Sequence, residues 1–193
     1  PHSYNSLVLV KHRNYSIEDT AIGLPDLKDV ASRSRIVPEP DISFPQANRF
    51  ERVINLCELL DTQELSREQV TEEYAFDIRQ TNYYTDAARY LGLLEKHYED
   101  GRKPVYSLSP SGKRIMNLNY KQRQLAFCEA ILRHRVFRDT FHLYAETGSM
   151  PDTPSIVEIM KKSGLYKVES MSTFVRRSST VSGWVNWMVG LTV

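Results

Sequence analysis

The sequence predicts a mainly α-helical protein of tandem winged helix-turn-helix-like modules with a short β-hairpin wing, and three observations carry that prediction. Apolar residues recur at three- and four-residue spacing from Arg49 onward. Three such helical stretches lead into Asp100-Gly101, a turn pair flanked by two short runs, which signals a hairpin. The helical order then repeats, with two helices in the region 120–147, a short helix and a longer one.

Residues 1–48 lack sustained helical periodicity. A short apolar run, Leu7-Val8-Leu9-Val10, precedes Gly23-Leu24-Pro25-Asp26, Pro38-Glu39-Pro40-Asp41 and Pro45, so the segment reads as one strand plus a linker, or the remnant of an upstream domain. Its opening Pro1-His2-Ser3 reads as left over from expression. The first module covers residues 49–118. Phe50, Val53, Ile54, Leu56, Cys57, Leu59 and Leu60 give a helix of about three turns. The second helix, Ser66 to Tyr74, opens on a Ser66/Gln69 capping box. After Ala75-Phe76-Asp77, a third helix is capped by Asp77, buries Tyr84, Ala87, Ala88 and Leu91, and ends near Gly92. The hairpin follows, and Ser109-Pro110 starts a further helix.

The second module covers residues 119–193. Its helical region runs from about Tyr120 to Glu146, Gly148 to Pro154 is a turn, and Ser155–Lys162 and Ser172–Met188 are amphipathic helices. Only Leu191-Thr192-Val193 remains for a second wing, which is therefore missing or rudimentary.

With 193 residues, 41% hydrophobic and 25% charged, 8 Gly and 9 Pro, the chain belongs with ordinary globular proteins. No run approaches the roughly 18 to 20 apolar residues of a spanning helix, so no membrane partner is expected, and no signal pattern opens the sequence. Cys57 and Cys128, far apart in apolar helical patterns, read as buried thiols in a reducing cytosol, not as a disulfide framework or cysteine zinc site.

The net charge of +1 hides an asymmetry. Residues 1–101 carry 11 Lys+Arg against 18 Asp+Glu, and residues 102–193 carry 14 against 6, so the halves stand at −7 and +8. Between Arg102 and Arg138 lie nine basic residues and one acid, Glu129. Such a block attracts a polyanion, or is simply a solvated basic surface.

A search for catalysis finds no Gly-x-Ser-x-Gly, Walker loop, His-Glu-x-x-His, GxGxxG or Glu-x-Lys, so no catalytic or metal-ligating residue is assigned and no cofactor is expected in this chain. His134 and His142, eight residues apart and so about 12 Å along a helix, read as surface or phosphate-contacting groups instead of a shared metal site.

Binding finds more to work with. A recognition helix presents its N-terminal residues to base edges in the major groove, and in the first module that helix begins Arg79-Gln80-Thr81-Asn82-Tyr83-Tyr84. Arg, Gln and Asn have the geometry for bidentate base contacts, which makes Arg79, Gln80, Asn82 and Tyr83 candidates. Asp86 on the same outward face repels phosphate unless it accepts from cytosine or braces an arginine. In the second module Ser172, Thr173, Arg176, Arg177, Ser179 and Thr180 are the candidates, hydroxyls permitting close approach and arginines reaching phosphates or bases, although Arg177 lies near the buried face. Arg102 and Lys103 on the wing, with Lys113 and Arg114, are phosphate candidates. Trp184 and Trp187 read as core anchors.

The strings Phe44-Pro45-Gln46-Ala47-Asn48-Arg49-Phe50-Glu51-Arg52-Val53-Ile54-Asn55-Leu56, Arg79-Gln80-Thr81-Asn82-Tyr83-Tyr84-Thr85-Asp86-Ala87-Ala88-Arg89-Tyr90-Leu91-Gly92-Leu93, and Ser172-Thr173-Phe174-Val175-Arg176-Arg177-Ser178-Ser179-Thr180-Val181 with Trp184 resemble the C-terminal region of a group of bacterial type II restriction endonucleases. The resemblance spans about residues 44–191. It implies a double-stranded DNA recognition region of a bacterial cytoplasmic restriction-modification system. It also implies a PD-(D/E)XK-type nuclease domain elsewhere in a longer protein, as partner, with magnesium as that parent's cofactor. The catalytic carboxylates and lysine of such enzymes are missing from this sequence, so cleavage is not carried over to it. Two other classes compete: a winged-helix protein-interaction or dimerisation module pairing the acidic half with a neighbour's basic half, and a transcription regulator, which would read a palindrome as a dimer.

Overall fold

The computed structural model describes residues 20–74 and 76–193. The Leu7–Val10 strand and Ala75 of the helix connection lie outside the described residues. Those described form nine helices and one small three-stranded antiparallel sheet.

The first helix corrects the expectation of a linker over residues 1–48. Helix α1, Leu24–Arg33, carries Pro25 in its first turn, where a missing N–H costs nothing, and Asp26 accepts the Gly23 N–H at 2.8 Å. Leu27, Val30 and Ala31 form its buried stripe against the later helix α6, Tyr120–Leu132. The irregular stretch that follows α1 is anchored too, since Phe44 and Ala47 are buried.

Next come α2 (Phe50–Leu59), β1 (Leu65–Ser66), α3 (Arg67–Glu73), α4 (Ile78–Tyr90), β2 (Leu94–Glu99) and β3 (Lys103–Leu108). Both capping boxes form: Ser66 Oγ accepts from Gln69 N–H at 3.2 Å and Asp77 Oδ1 from Gln80 N–H at 2.8 Å. Leu65 pairs with Tyr106, and the hairpin register runs from Leu94↔Leu108 to Glu99↔Lys103, giving the sheet order β1-β3-β2. In the three-residue loop between Glu99 and Lys103, Asp100 and Gly101 both have positive φ, 49° and 68°, and the Arg102 N–H donates to the Glu99 carbonyl at 3.1 Å, closing a β-turn around them.

Helix α5 (Pro110–Met116) leads to α6, α7 (Arg135–Thr147), α8 (Thr153–Lys162) and the twenty-residue α9 (Met171–Gly190). The helical stretch from 120 breaks at Arg133-His134, and α7 ends on Gly148 in the left-handed region. The last residues build no second wing. Thr192 makes a single parallel bridge with Ile22, and Val193 N–H donates to Ile22 C=O at 3.1 Å.

One apolar core runs through both halves of the chain. Phe50 of α2 meets Phe127 of α6 at 6.0 Å and Trp184 and Trp187 of α9 at 5.2 and 4.4 Å between ring centroids. Phe137 stacks on both Trp184 and Phe44. The tryptophans are core anchors, as expected, and Cys57 and Cys128 are buried free thiols.

Candidate nucleic-acid interface

Helix α4 turns Thr81, Tyr84, Thr85, Ala87 and Ala88 into the core, which leaves Arg79 exposed and Asn82 and Tyr83 half-buried. Arg79 is fully outward, and its Nε donates to the Tyr83 hydroxyl at 2.7 Å while the guanidinium lies 5.5 Å from that ring's centroid. One turn of helix therefore holds this arginine extended along the surface. Gln80 is occupied, because its Oε1 accepts the Asp77 N–H at 3.4 Å to close the capping box. Asp86 braces an arginine: its carboxylate takes Arg89 Nη1 at 2.9 Å.

The wing presents Arg102 and Lys103 in the open. Lys103 also acts on Glu68, whose carboxyl it helps to hold below the usual range, after larger effects of the Glu68 backbone amide and Arg67. Strand alternation puts Lys96 and Tyr98 on one hairpin face, with the ammonium 5.0 Å from the ring. The hydrogen bond and charge of Lys96 lower the Tyr98 phenol. Sequence reading missed Arg89, Lys96 and Tyr98. The signal for Lys96 and Tyr98 was the two-residue alternation Leu94, Lys96, Tyr98.

Lys113 and Arg114 are exposed but lie elsewhere. A Cβ added at Gly112 would sit 2.3 Å from the Leu93 carbonyl oxygen, so α5 is pressed against the chain just before β2, at the hairpin base. The tip bearing Arg102 is a six-residue strand away, about 20 Å.

On α9, Ser170 caps the helix through Thr173 N–H at 3.2 Å, and the Ser170, Ser172 and Thr173 hydroxyls form one cluster. Ser172, Arg176 and Ser179 are exposed and Thr173 is half-buried. Thr180 corrects the sequence expectation: it is buried, and its Oγ1 accepts the Ala47 N–H at 3.1 Å. The outward side of α9 was extended one residue too far, because nothing in the sequence showed that residues 44–48 pack on it. Arg177 is structural, donating to the Phe44 carbonyl. Burial chiefly holds its guanidinium below the usual range, the Arg176 charge adds to that, and Tyr83 opposes it.

The basic block from Arg102 to Arg138 is not one patch. Arg123 donates to the carbonyls of Met116 and Leu118, Arg138 to those of Leu132 and Ser34, Lys121 pairs with Asp26 and Arg135 with Asp139. His134 corrects another expectation. It is a core residue, 4% exposed and stacked on Tyr90 at 4.3 Å, whereas His142 is exposed.

A family model described as a domain of unknown function, DUF7226, matches residues 52–193, roughly three-quarters of the chain. The chain belongs to the DUF7226 family. No curated protein and no solved structure matches it. The DUF7226 segment starts inside α2 and contains every candidate residue on α4, the hairpin, α5 and α9. Among the described residues of this DUF7226 chain, no three His, Cys, Asp or Glu side chains converge as a metal site. No helix among them is long and apolar enough to cross a membrane.

Proposed function

We propose that this chain is a sequence-specific recognition region for double-stranded DNA, belonging to a bacterial type II restriction endonuclease whose nuclease domain and magnesium lie outside residues 1–193. In this reading α2, β1, α3, α4, β2 and β3 are a winged helix-turn-helix, and the sheet order β1-β3-β2 with a free hairpin tip supports it. The observation that carries the proposal is the start of α4, where Arg79 is exposed beside half-buried Asn82 and Tyr83 on the helix that follows the Asp77 cap. The start of α9 offers a second polar, cation-bearing surface in Ser172, Thr173 and Arg176.

The chemistry follows from donor geometry. Arg79 offers the guanidinium fork that matches guanine O6 and N7, and Asn82 the amide that matches adenine N6 and N7. Arg176 and the α9 hydroxyls reach phosphates, as does Arg102 from the wing, and displaced counterions make that part of the affinity salt-dependent. Enrichment of a random duplex pool in metal-free buffer at about physiological salt tests the reading, and a single asymmetric motif of several base pairs is the expected outcome. A pool that stays random at every salt concentration overturns it.

A second reading has its own support. Ile78, Met171 and Val175 are 51%, 55% and 48% exposed, and each lies on α4 or α9 within one residue of Arg79 or Arg176 or in the adjoining turn. Apolar side chains there suit a protein partner or a second copy of the chain. Sedimentation across a concentration range separates the two, because self-association without DNA retention favours the interaction module.

A further inference from the structure

Tyr74, Phe76 and Tyr84 form an aromatic stack beside the start of α4, with ring centroids 4.9 Å apart for the first pair and 5.5 Å for the second. Phe76 comes just before Asp77, the cap of α4, and Tyr84 lies in the second turn of that helix. Arg52, the third residue of α2, brings its guanidinium carbon to 5.1 Å from the Phe76 centroid and 5.7 Å from that of Tyr84. Since those two centroids are themselves 5.5 Å apart, the cation completes a near-equilateral triangle and is held by both π-systems.

Being held in this way uses none of its hydrogen bonds. The half-buried Arg52 side chain donates to no described residue and pairs with no described carboxylate, and each guanidinium nitrogen reaches solvent. Arginines elsewhere in the fold are fixed by spending N–H groups inside the protein: Arg123, Arg138 and Arg177 on backbone carbonyls, Arg89 on Asp86 and Arg79 on Tyr83. A planar fork of donors that is fixed in direction and lacks an internal acceptor has little freedom left to lose on meeting an anion. Phosphate and carboxylate both match the fork, and position decides between them. The ring that holds Arg52 is one residue from the α4 cap and three from Arg79, where the DNA reading puts base contacts, and elements bordering a recognition helix take the flanking backbone.

We propose that Arg52 is a phosphate clamp, its guanidinium aimed by Phe76 and Tyr84 and its N–H fork given to the oxygens of one phosphate group. The clamp rests on the DNA reading for its source, a backbone phosphate beside the α4 contacts; a free phosphate ester offers the same chemistry. Its role is sequence-independent, in contrast to that of Arg79.

The test titrates the full chain in metal-free buffer with the enriched duplex, a random duplex, inorganic phosphate and acetate, following the Arg52 Nε–H resonance, which is assigned by its loss in Arg52→Lys. The resonance should shift with both duplexes. Arg52→Gln should weaken both by the same factor, about threefold or more, while the slope of log affinity against log salt falls by about one. A merely structural arginine would leave that slope unmoved. Arg52→Lys keeps the charge and loses the fork, so it should bind less tightly than the parent at an unchanged slope, and it decides alone if Arg52→Gln does not fold. An unmoved slope in Arg52→Gln, or parental affinity in Arg52→Lys, overturns the clamp; a loss confined to the enriched duplex also overturns it, by making Arg52 a base contact. If neither duplex binds, the DNA reading fails separately. A resonance then moved by inorganic phosphate and not by acetate keeps the clamp with a free phosphate ester as its source, whereas one moved as strongly by acetate, or by neither, overturns it.

Discussion

The Trp184 indole N–H donates to the Ala47 carbonyl at 2.7 Å, across 137 residues of chain. One turn earlier on α9, Thr180 Oγ1 accepts the Ala47 N–H at 3.1 Å. Both backbone groups of one buried residue are thus satisfied by side chains of a single distant helix. Gly183 makes this approach possible, since a Cβ there would lie 2.2 Å from the Asn48 carbonyl oxygen.

Trp184→Phe keeps most of the ring packing and orphans the Ala47 carbonyl, and Thr180→Val orphans the N–H. Each should lower unfolding free energy by about 1–3 kcal/mol. The double variant should lose less than the sum, because once the 44–48 segment lifts away the second bond is already gone. Urea denaturation of the four proteins measures this. Single losses below about 0.5 kcal/mol would mean that the segment finds water at little cost.

The arginines of α4 and α9 divide by what they touch. Arg79 and Arg176 are exposed, so their alanine variants should fold normally and lose about 1–3 kcal/mol on the enriched DNA motif beyond any loss on random duplex. Arg177, Arg123 and Arg138 donate to backbone carbonyls, so alanine there should lower the thermal midpoint. Equal losses on both DNAs would reassign Arg79 and Arg176 to phosphate contacts.

Legibility in the sequence followed the range of the interaction. Caps at Ser66 and Asp77, the Asp100-Gly101 turn and the inward face of α4 are set by neighbours within four residues, and the structure has them where the spacing predicts. Helix α1 escaped because its buried stripe is only three residues long and sits between Pro25 and a run of prolines. Thr180 and His134 were misplaced for another reason. Each is buried by a segment far away in sequence, residues 44–48 for one and α4 for the other, which periodicity does not reveal. The basic block misled in the same way, since clustering in sequence scattered over the hairpin and three helices.

Two glycines offer a contrast in packing. Gly112→Ala would drive a methyl group into the Leu93 carbonyl, a backbone atom that has no easy retreat, and should cost about 1–3 kcal/mol or more by forcing α5 off the hairpin base. Gly190, the last residue of α9, has nothing within 4 Å of such a methyl and no positive φ. Gly190→Ala should therefore stabilise by about 0.4–1 kcal/mol through the unfolded chain. Thermal midpoints moving in opposite directions confirm the pair; a loss at both positions would contradict the open space at Gly190.

Stability should respond to pH through two neighbours of Tyr90. Burial, opposed by the Tyr90 hydroxyl and the Tyr166 amide, raises Glu39 from 4.5 to about 7. Between those values the unfolded chain has released a proton that the fold retains, so this group makes stability fall as pH rises from 4.5 to 7. Burial, then Arg133, lowers His134 from 6.5 to about 4. Here the unfolded chain binds a proton that the fold refuses, so stability falls as pH drops from 6.5 to 4. The two slopes oppose each other between pH 4.5 and 6.5, and the parent chain should be nearly flat there as far as this pair is concerned. Glu39→Gln leaves only the histidine, and its urea midpoint should climb relative to the parent from pH 4.5 to 7. His134→Phe leaves only the carboxyl, and its midpoint should decline over the same range. Parallel profiles for all three proteins would show that neither group is perturbed by the fold.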